Sequence, residues 1–147
     1  MKNLENEIRK AFSCTAPLDS IPAEDARELN YAITRFDHAT VIQMLPLLML
    51  KEMYESYRYG STGEGLIFFL DGALLKRDKM GNLVPRNKEI YAERYRYTHE
   101  QLKDFTKEQA YAIVQWLKQV ATPKYNRLCS VDILSALSFW ENRSKEC

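Results

Sequence analysis

The chain has 147 residues, 46% of them hydrophobic and 28% charged, which is typical of one globular domain with a sizeable core. Its 21 basic and 20 acidic side chains leave a net charge of +1, so the overall charge gives no pull toward nucleic acid or a membrane surface. The longest apolar run is too short to span a bilayer and the charged start is unlike a secretory signal, so we expect a cytoplasmic protein with no membrane partner.

The first part of the chain is predicted to be helical. Apolar residues at helical spacing predict a first helix over about 2–13, namely Leu4, Ile8, Ala11 and Phe12. Ser20 predicts the cap of a second helix, with Pro22 in its first turn. The apolar side of this second helix extends to Phe36, and Asp37 predicts the cap of a third helix.

The third predicted helix contains the most apolar part of the chain, residues 41–50, in which only Gln43 is polar. A helix that is apolar on all sides is usually buried, so we expect this one to be central to the fold. Pro46 has no backbone N–H to donate and is expected to kink or break the helix near 42–45. Gly60 predicts its end.

The middle of the chain mixes apolar pieces with turn formers. Residues 66–75 fit either a short buried helix or a strand, and we favour a helix because the neighbouring segments are helical. Residues 74–84 predict a small β-hairpin, with turn chemistry at 78–82. Residues 85–97 have no clean period and predict irregular structure.

Capping residues predict the remaining helix starts. Residues 98–101 and 106–109 both match the capping-box pattern, and Ser130 predicts the start of a last helix after Pro123 ends the one before it. The predicted fold class is therefore mainly α: a single compact domain over residues 1–147. It contains five or six helices around the central apolar helix and at most the one small β-hairpin.

Arginine and tyrosine are concentrated in two short windows. We call them the first Tyr-Arg cluster, Tyr57, Arg58 and Tyr59, and the second Tyr-Arg cluster, Arg94, Tyr95, Arg96 and Tyr97. Both residue types are enriched at the hot spots of protein interfaces. Residues 76–97 also carry seven basic and three acidic side chains, a local charge of +4. These features predict one partner-binding surface, and the alternative is that the tyrosines cover the core with their hydroxyls at the surface.

Other sites find no support in the sequence. The glycines at 60, 63 and 65 match neither phosphate-binding fingerprint, although an anion at the start of the following helix stays open as the lesser alternative. The two histidines, His38 and His99, lack metal-ligand spacing. Cys14 lies in a loop with no predicted basic partner, and no catalytic serine motif occurs. We therefore expect no catalytic residue, no cofactor and no metal.

Two stretches carry a resemblance. ATVIQMLPLLML resembles an apolar helix with a Leu-Pro step, and DFTKEQAYAIVQWLKQV resembles a Phe-Thr-x-Glu-Gln helix start. In this order and at this distance they resemble a family of small uncharacterised bacterial helical proteins, a domain of unknown function, over about residues 29–120. The resemblance implies a compact bacterial domain and brings no catalytic residue with it.

Two functions of different classes fit these observations. One is a non-catalytic protein-binding module, such as an immunity-like or adaptor protein. The alternative is a nucleic-acid-binding accessory protein that uses the Arg/Tyr surface. Phosphate binding needs a broad basic face, and residues 1–30 carry four basic against six acidic side chains, so protein binding is favoured. A catalytic site assembled from residues scattered over the fold would leave no such pattern.

The three cysteines are predicted to be reduced and structurally independent, since their odd number and wide spacing do not form a disulfide framework. Mass analysis of the freshly purified protein without reductant should find no intramolecular bridge. A stoichiometric bond between Cys14 and Cys129 would contradict this prediction.

Overall fold

A computed structural model describes residues 2–21, 23–55, 63–120 and 123–145. Within these residues the chain forms seven α-helices, two short 3-10 turns and one two-stranded antiparallel sheet. The mainly-α prediction is confirmed, with seven helices where five or six were predicted. None of the described helices combines the length and hydrophobicity that a bilayer span requires. The chain divides into two compact units, Met1–Phe69 and Leu70–Cys147. The prediction of a single domain stays a prediction.

The first unit is helical in its described part. Its elements are α1 (Lys2–Ala11), α2 (Ala23–Ala32), α3 (His38–Glu55) and α4 (Gly63–Leu70), the last of which ends one residue beyond the unit. Short 3-10 turns occupy Leu18–Ser20 and Ile33–Arg35. Ser20 therefore lies in a 3-10 turn rather than capping α2, which begins at Ala23.

Helix α3 supplies much of the core of the first unit. It begins as predicted, because the Asp37 carboxylate accepts a hydrogen bond of 2.8 Å from the Thr40 amide. Hydrogen bonds from the Thr40 side chain and, second, from this amide hold the pKa of Asp37 below its usual value. Residues 45–50 are all buried, Pro46 among them. The helix continues through Pro46 to Glu55, so a break near 42–45 is wrong, and the alternative, a kink, stays a prediction.

The second unit combines a hairpin with three helices. Its elements are β1 (Leu75–Arg77), β2 (Leu83–Pro85), α5 (Ala92–Leu102), α6 (Lys107–Val120) and α7 (Pro123–Lys145). The strands are antiparallel, with Leu75 opposite Pro85 and Arg77 opposite Leu83. The predicted hairpin is therefore confirmed. The helix favoured over 66–75 is confirmed only as far as Leu70, where α4 ends.

Helices α6 and α7 pack against each other and form the core of the second unit. Their fully buried side chains include Ile113, Trp116, Leu117, Ala136 and Trp140. The start of α6 is the predicted capping box. The Gln109 amide donates to the Thr106 hydroxyl over 3.1 Å, and the Gln109 side chain accepts from the Thr106 amide over 2.9 Å. Two helix-end donors are thereby satisfied.

Three predictions for the second unit are wrong. Residues 92–97 are not irregular, because α5 begins at Ala92. Thr98 lies buried in the interior of α5 instead of capping a helix. Ser130 lies inside α7, which already begins at Pro123. A proline suits the first position of a helix, so Pro123 starts α7 in addition to following α6.

The burial of α3 leads to a stability prediction. Leu48→Ala should lower the free energy of unfolding by about 2–5 kcal/mol, because the side chain is 1% exposed and its removal leaves a cavity. Gln43→Ala on the exposed side of the same helix is the control and should stay within about 0.5 kcal/mol. Urea denaturation measures both. A loss for Leu48→Ala as small as that of the control would place α3 outside the core.

Candidate functional site

The first Tyr-Arg cluster, Tyr57, Arg58 and Tyr59, lies outside the described residues. The nearest described tyrosine is Tyr54, which is 38% exposed. Its hydroxyl donates to the Glu5 carboxylate over 2.8 Å, and this hydrogen bond raises the pKa of Tyr54. Tyr54 therefore links α3 to α1 within the first unit, with its ring at the surface.

The second Tyr-Arg cluster occupies four consecutive positions of α5, so its side chains leave the helix about 100° apart and point to different sides. Arg94 is half-buried; burial lowers the pKa of its guanidinium, and the negative charge of Asp71 opposes that shift. Tyr95 is also half-buried, and its hydroxyl donates to the Arg86 carbonyl over 2.9 Å. These two side chains therefore contribute to the folding of the second unit.

Arg96 and Tyr97 are the exposed members of the second cluster. Tyr97 is 42% exposed, and its hydroxyl accepts a hydrogen bond of 3.2 Å from the Gln101 side chain. The helix thus brings two of the four residues to the surface rather than all four to one face. A partner contact by any of the seven cluster residues stays a prediction.

The exposed cluster residues belong to a longer surface segment, residues 76–97, which we call the basic arm. The structure describes every residue of the arm, and none of them is buried. Two large apolar side chains are almost fully in solvent, Met80 with 84% and Ile90 with 77% exposure. Charged and apolar side chains therefore share one segment that adds nothing to the buried core.

The hairpin turn of the arm is ordered by its own hydrogen bonds. The Asp78 carboxylate accepts bonds of 2.9 Å from the amides of Met80 and Asn82. Gly81 has a φ of 82°, a conformation that glycine adopts without strain. The Arg77 guanidinium donates to the Gly81 carbonyl over 2.7 Å. Together these bonds fix the turn and hold the Met80 side chain outward.

A second turn in the arm is built in the same way. The Asn87 side-chain oxygen accepts from the Glu89 amide over 2.9 Å and from the Ile90 amide over 3.0 Å. Beside it, the Arg86 guanidinium lies 5.5 Å from the centre of the Tyr91 ring, a cation–π contact. Ile90 is therefore presented on a fixed turn directly before α5.

A buried carboxylate anchors the arm to α7. Asp71 is 6% exposed, and one of its oxygens accepts from the Ser135 hydroxyl over 2.5 Å and from the Leu74 amide over 3.0 Å. The Ser135 oxygen in turn accepts from the Leu75 amide over 2.8 Å, at the start of β1. We call Asp71 and Ser135 the anchor pair.

The backbone around the anchor pair is closely constrained. Leu74 has a φ of 51°, which is uncommon for a residue with a side chain. A Cβ added to Gly72 would lie 2.5 Å from the Phe139 ring, so only glycine fits there. The segment from 71 to 75 therefore has one arrangement that its hydrogen bonds and packing specify.

The anchor pair is structural rather than catalytic. A serine beside an aspartate provides two members of a hydrolytic triad, but Ser135 is 0% exposed. Its hydroxyl already donates to Asp71 and accepts from Leu75, so it has no path to a substrate. Sequence reasoning did not identify this pair. The signal available was one aspartate, Asp71, inside the apolar run LIFFLDGALL.

The first unit contains a separate cavity of about 420 Å³, lined by Phe12, Ser13, Cys14, Thr15, Ala16, Ile21, Ile42, Gln43, Met44 and Leu47. The Arg9 guanidinium lies 3.7 Å from the Cys14 sulfur, so Cys14 has the basic partner that the sequence did not indicate. Arg9 also donates to the Ala16 carbonyl over 2.6 Å and to the Glu5 carboxylate over 2.9 Å. Through these contacts Arg9 stabilises the loop that follows α1.

Among the described residues, no group of three or more histidine, cysteine, aspartate or glutamate side chains is arranged to hold a metal ion. The chain matches no protein-family model, no curated protein and no solved structure. The resemblance to a bacterial family therefore stays a prediction based on two sequence stretches.

The anchor pair gives a pH prediction. Burial raises the pKa of Asp71, while the hydrogen bonds from Ser135 and Leu74 and the charge of Arg94 oppose that shift and Asp132 adds to it. The folded state therefore holds the proton more tightly than the unfolded state. As a result, this group lowers stability as the pH rises from the ordinary carboxyl pKa, about 4, through the raised one.

Asp71→Asn keeps an oxygen acceptor and cannot ionise. Its free energy of unfolding, minus that of the original chain, should increase as the pH rises above about 4 and then level off. Urea denaturation at a series of pH values measures this difference. The contributions of the carboxylates that both chains share cancel in it. Ser135→Ala removes a bond to the carboxylate and should extend the pH-dependent loss to higher pH. Parallel curves for Asp71→Asn and the original chain would rule the prediction out.

Proposed function

We propose that the chain is a non-catalytic protein-binding module, of the immunity-like or adaptor kind, and that it binds its partner through the basic arm. One observation carries the proposal: an ordered segment without a buried residue presents Met80 and Ile90 almost entirely to solvent. Exposed apolar side chains on a fixed backbone lose little further freedom on binding, so their burial contributes to affinity with a small entropic cost.

The composition of the arm supports a protein partner. Arginine, methionine and tyrosine are enriched in protein interfaces, and Met80, Arg96 and Tyr97 of the arm are each exposed. The Arg86–Tyr91 contact adds a flat, amphipathic surface to the same segment. The proposal assigns Arg96 and Tyr97 to the contact surface and Tyr95 to its support. It does not depend on the first Tyr-Arg cluster.

The hairpin is a poor template for strand addition. The outward amide of Leu75 in β1 is taken by Ser135, and Pro85 in β2 has no amide hydrogen to offer. Each three-residue strand is therefore blocked at one position of its outer edge. The proposed recognition runs through side chains rather than through an extended sheet.

Nucleic-acid binding is the second candidate, favoured by the interleaved arginines and tyrosines. The charge of the arm argues against it. Arg94 is half-buried, and its charge interacts with that of Asp71. It therefore contributes little to the electrostatic potential at the surface of the arm. Glu89 and Glu93, both exposed, also stand among the basic residues and would repel phosphates. The arm is thus a mixed rather than a uniformly basic face.

The proposal includes a cytoplasmic location, because Cys14 is an unbridged thiol, which is usual in a reducing compartment.

The test compares exposed and supporting residues of the arm. Arg96→Ala and Tyr97→Ala should leave the free energy of unfolding within about 0.5 kcal/mol, since both are exposed. They should weaken the complex with the native partner, purified from nuclease-treated host lysate, by about 1–4 kcal/mol. Titration calorimetry and urea denaturation measure the two effects.

Two controls separate binding from folding. Tyr111→Ala removes a tyrosine that is 52% exposed on α6 and should leave affinity unchanged. Tyr95→Phe removes the bond to Arg86 and should reduce stability by about 1 kcal/mol. Normal binding by both arm variants would refute the proposal. A partner lost on nuclease treatment, with a log-log salt slope near −0.7 per contact, would favour single-stranded nucleic acid.

A further inference from the structure

The tip of the arm, residues 78–82, has a distinctive construction. Met80 is the most exposed large hydrophobic side chain among the described residues. It lies at the far end of a hairpin, and the exposed basic side chains of Arg77 and Lys79 come shortly before it in the sequence. The one acid in the turn, Asp78, directs its carboxylate oxygen to the amides of Met80 and Asn82. The exposed side chains at and next to the tip therefore combine one apolar residue with two cations.

The tip has its shape before any partner arrives. Asp78 bonds two amides across the turn, and Arg77 closes it through the Gly81 carbonyl. A Cβ on Gly81 would meet nothing within 4 Å. Glycine therefore suits this position because of the positive φ, and not because another group lies close to it. The Met80 amide is already bonded to Asp78, which holds this residue out of the β-ladder.

We infer that Met80 is the anchor of the docking surface, inserting into an apolar pocket of the partner protein whose rim carries carboxylates facing Arg77 and Lys79. This inference rests on the proposed function. Interface hot spots are apolar side chains that fill a pocket and are surrounded by contacts that exclude water. Methionine fits irregular pockets because its side chain is unbranched and polarisable. The flanking cations orient the encounter through charge complementarity.

Two other partners carry negative charge, and the tip suits them less. A nucleic acid would pair with the cations and leave Met80 without an apolar cavity. An anionic membrane could take Met80, but membrane attraction usually needs clusters of about 4–8 basic residues. The stretch from 76 to 79 has three basic residues, and the four others of the arm are separated from it in the sequence and stand beside Glu89 and Glu93. A protein pocket with an acidic rim satisfies both features of the tip.

Photocrosslinking locates the tip in the complex. Benzoylphenylalanine replaces Met80 in the full chain, and in separate chains it replaces Ile90, Tyr97 and, as the control, Tyr111. Each chain is irradiated in native host lysate, and the adducts are identified by mass spectrometry. We expect one protein adduct at position 80, none at 111, and crosslinked partner residues that line an apolar pocket with aspartate or glutamate at its edge.

The identified protein is then purified and titrated with variants of the tip. Met80→Ser should weaken binding about 30-fold or more, the level of an interface hot spot, whereas Met80→Leu keeps the apolar volume and should restore most of the affinity. Lys79→Glu, which leaves the bond from Arg77 to the Gly81 carbonyl in place, should slow association and weaken its salt dependence. None of these changes should alter unfolding beyond the Tyr111 control.

The outcomes separate this inference from the proposed function. Adducts at 90 and 97 without one at 80, or unchanged affinity for Met80→Ser, would overturn the anchor and leave the arm as the binding site. No protein adduct at 80, 90 or 97 would overturn both. Titration of the purified chain with phosphatidylserine vesicles and with oligo-deoxythymidine completes the test. If either of these binds in a Met80-dependent way and no protein adduct forms, the partner is a membrane or a nucleic acid, respectively, and not a protein.

Discussion

The hydrogen bonds accepted by Asp71 hold together the part of the second unit from which the arm extends. One carboxylate oxygen binds both the Leu74 amide and the Ser135 hydroxyl, and that hydroxyl binds Leu75. The same region is fixed by Trp140, whose indole donates to the Leu70 carbonyl over 2.8 Å. Because these groups are buried, removing one would leave its partners unsatisfied, which costs more than the net value of a single bond. The position of β1 on α7 depends on this arrangement.

Beyond the anchor pair, the order of the arm comes from local contacts. Fixing the backbone of a residue costs about 1–2 kcal/mol of conformational entropy, whereas a hydrogen bond contributes a net stabilisation of about 0.5–1.5 kcal/mol. A segment without buried residues therefore has little stability of its own. It is held at one end by the anchor pair and at the other by Tyr95 on α5, whose hydroxyl binds Arg86. Burial of Met80 and Ile90 against a partner would add the apolar contribution that the arm lacks.

The fold was predictable where the signal is local and strong. The apolar run of α3, the Asp37 cap and the Thr106 capping box each depend on residues a few positions apart, and each is found. The first half of α5, from Ala92, was missed because the buried residues of this helix are only Thr98 and Leu102, which leaves no apolar stripe to recognise. The capping-box pattern at Thr98 occurs inside a helix, since four residues do not specify where a helix starts.

The candidate site was predictable in composition but not in geometry. Tyrosine and arginine at 94–97 suggest one surface, yet helical geometry turns Arg94 and Tyr95 toward their own unit. The clearer signal lies in the turns. Met80 and Ile90 each follow a turn-forming Asp78 or Asn87, whose side chain binds their amide. In both turns the residue whose amide is bonded in this way lies outside the helices and strands. In this arm both such residues face solvent, which composition alone does not reveal.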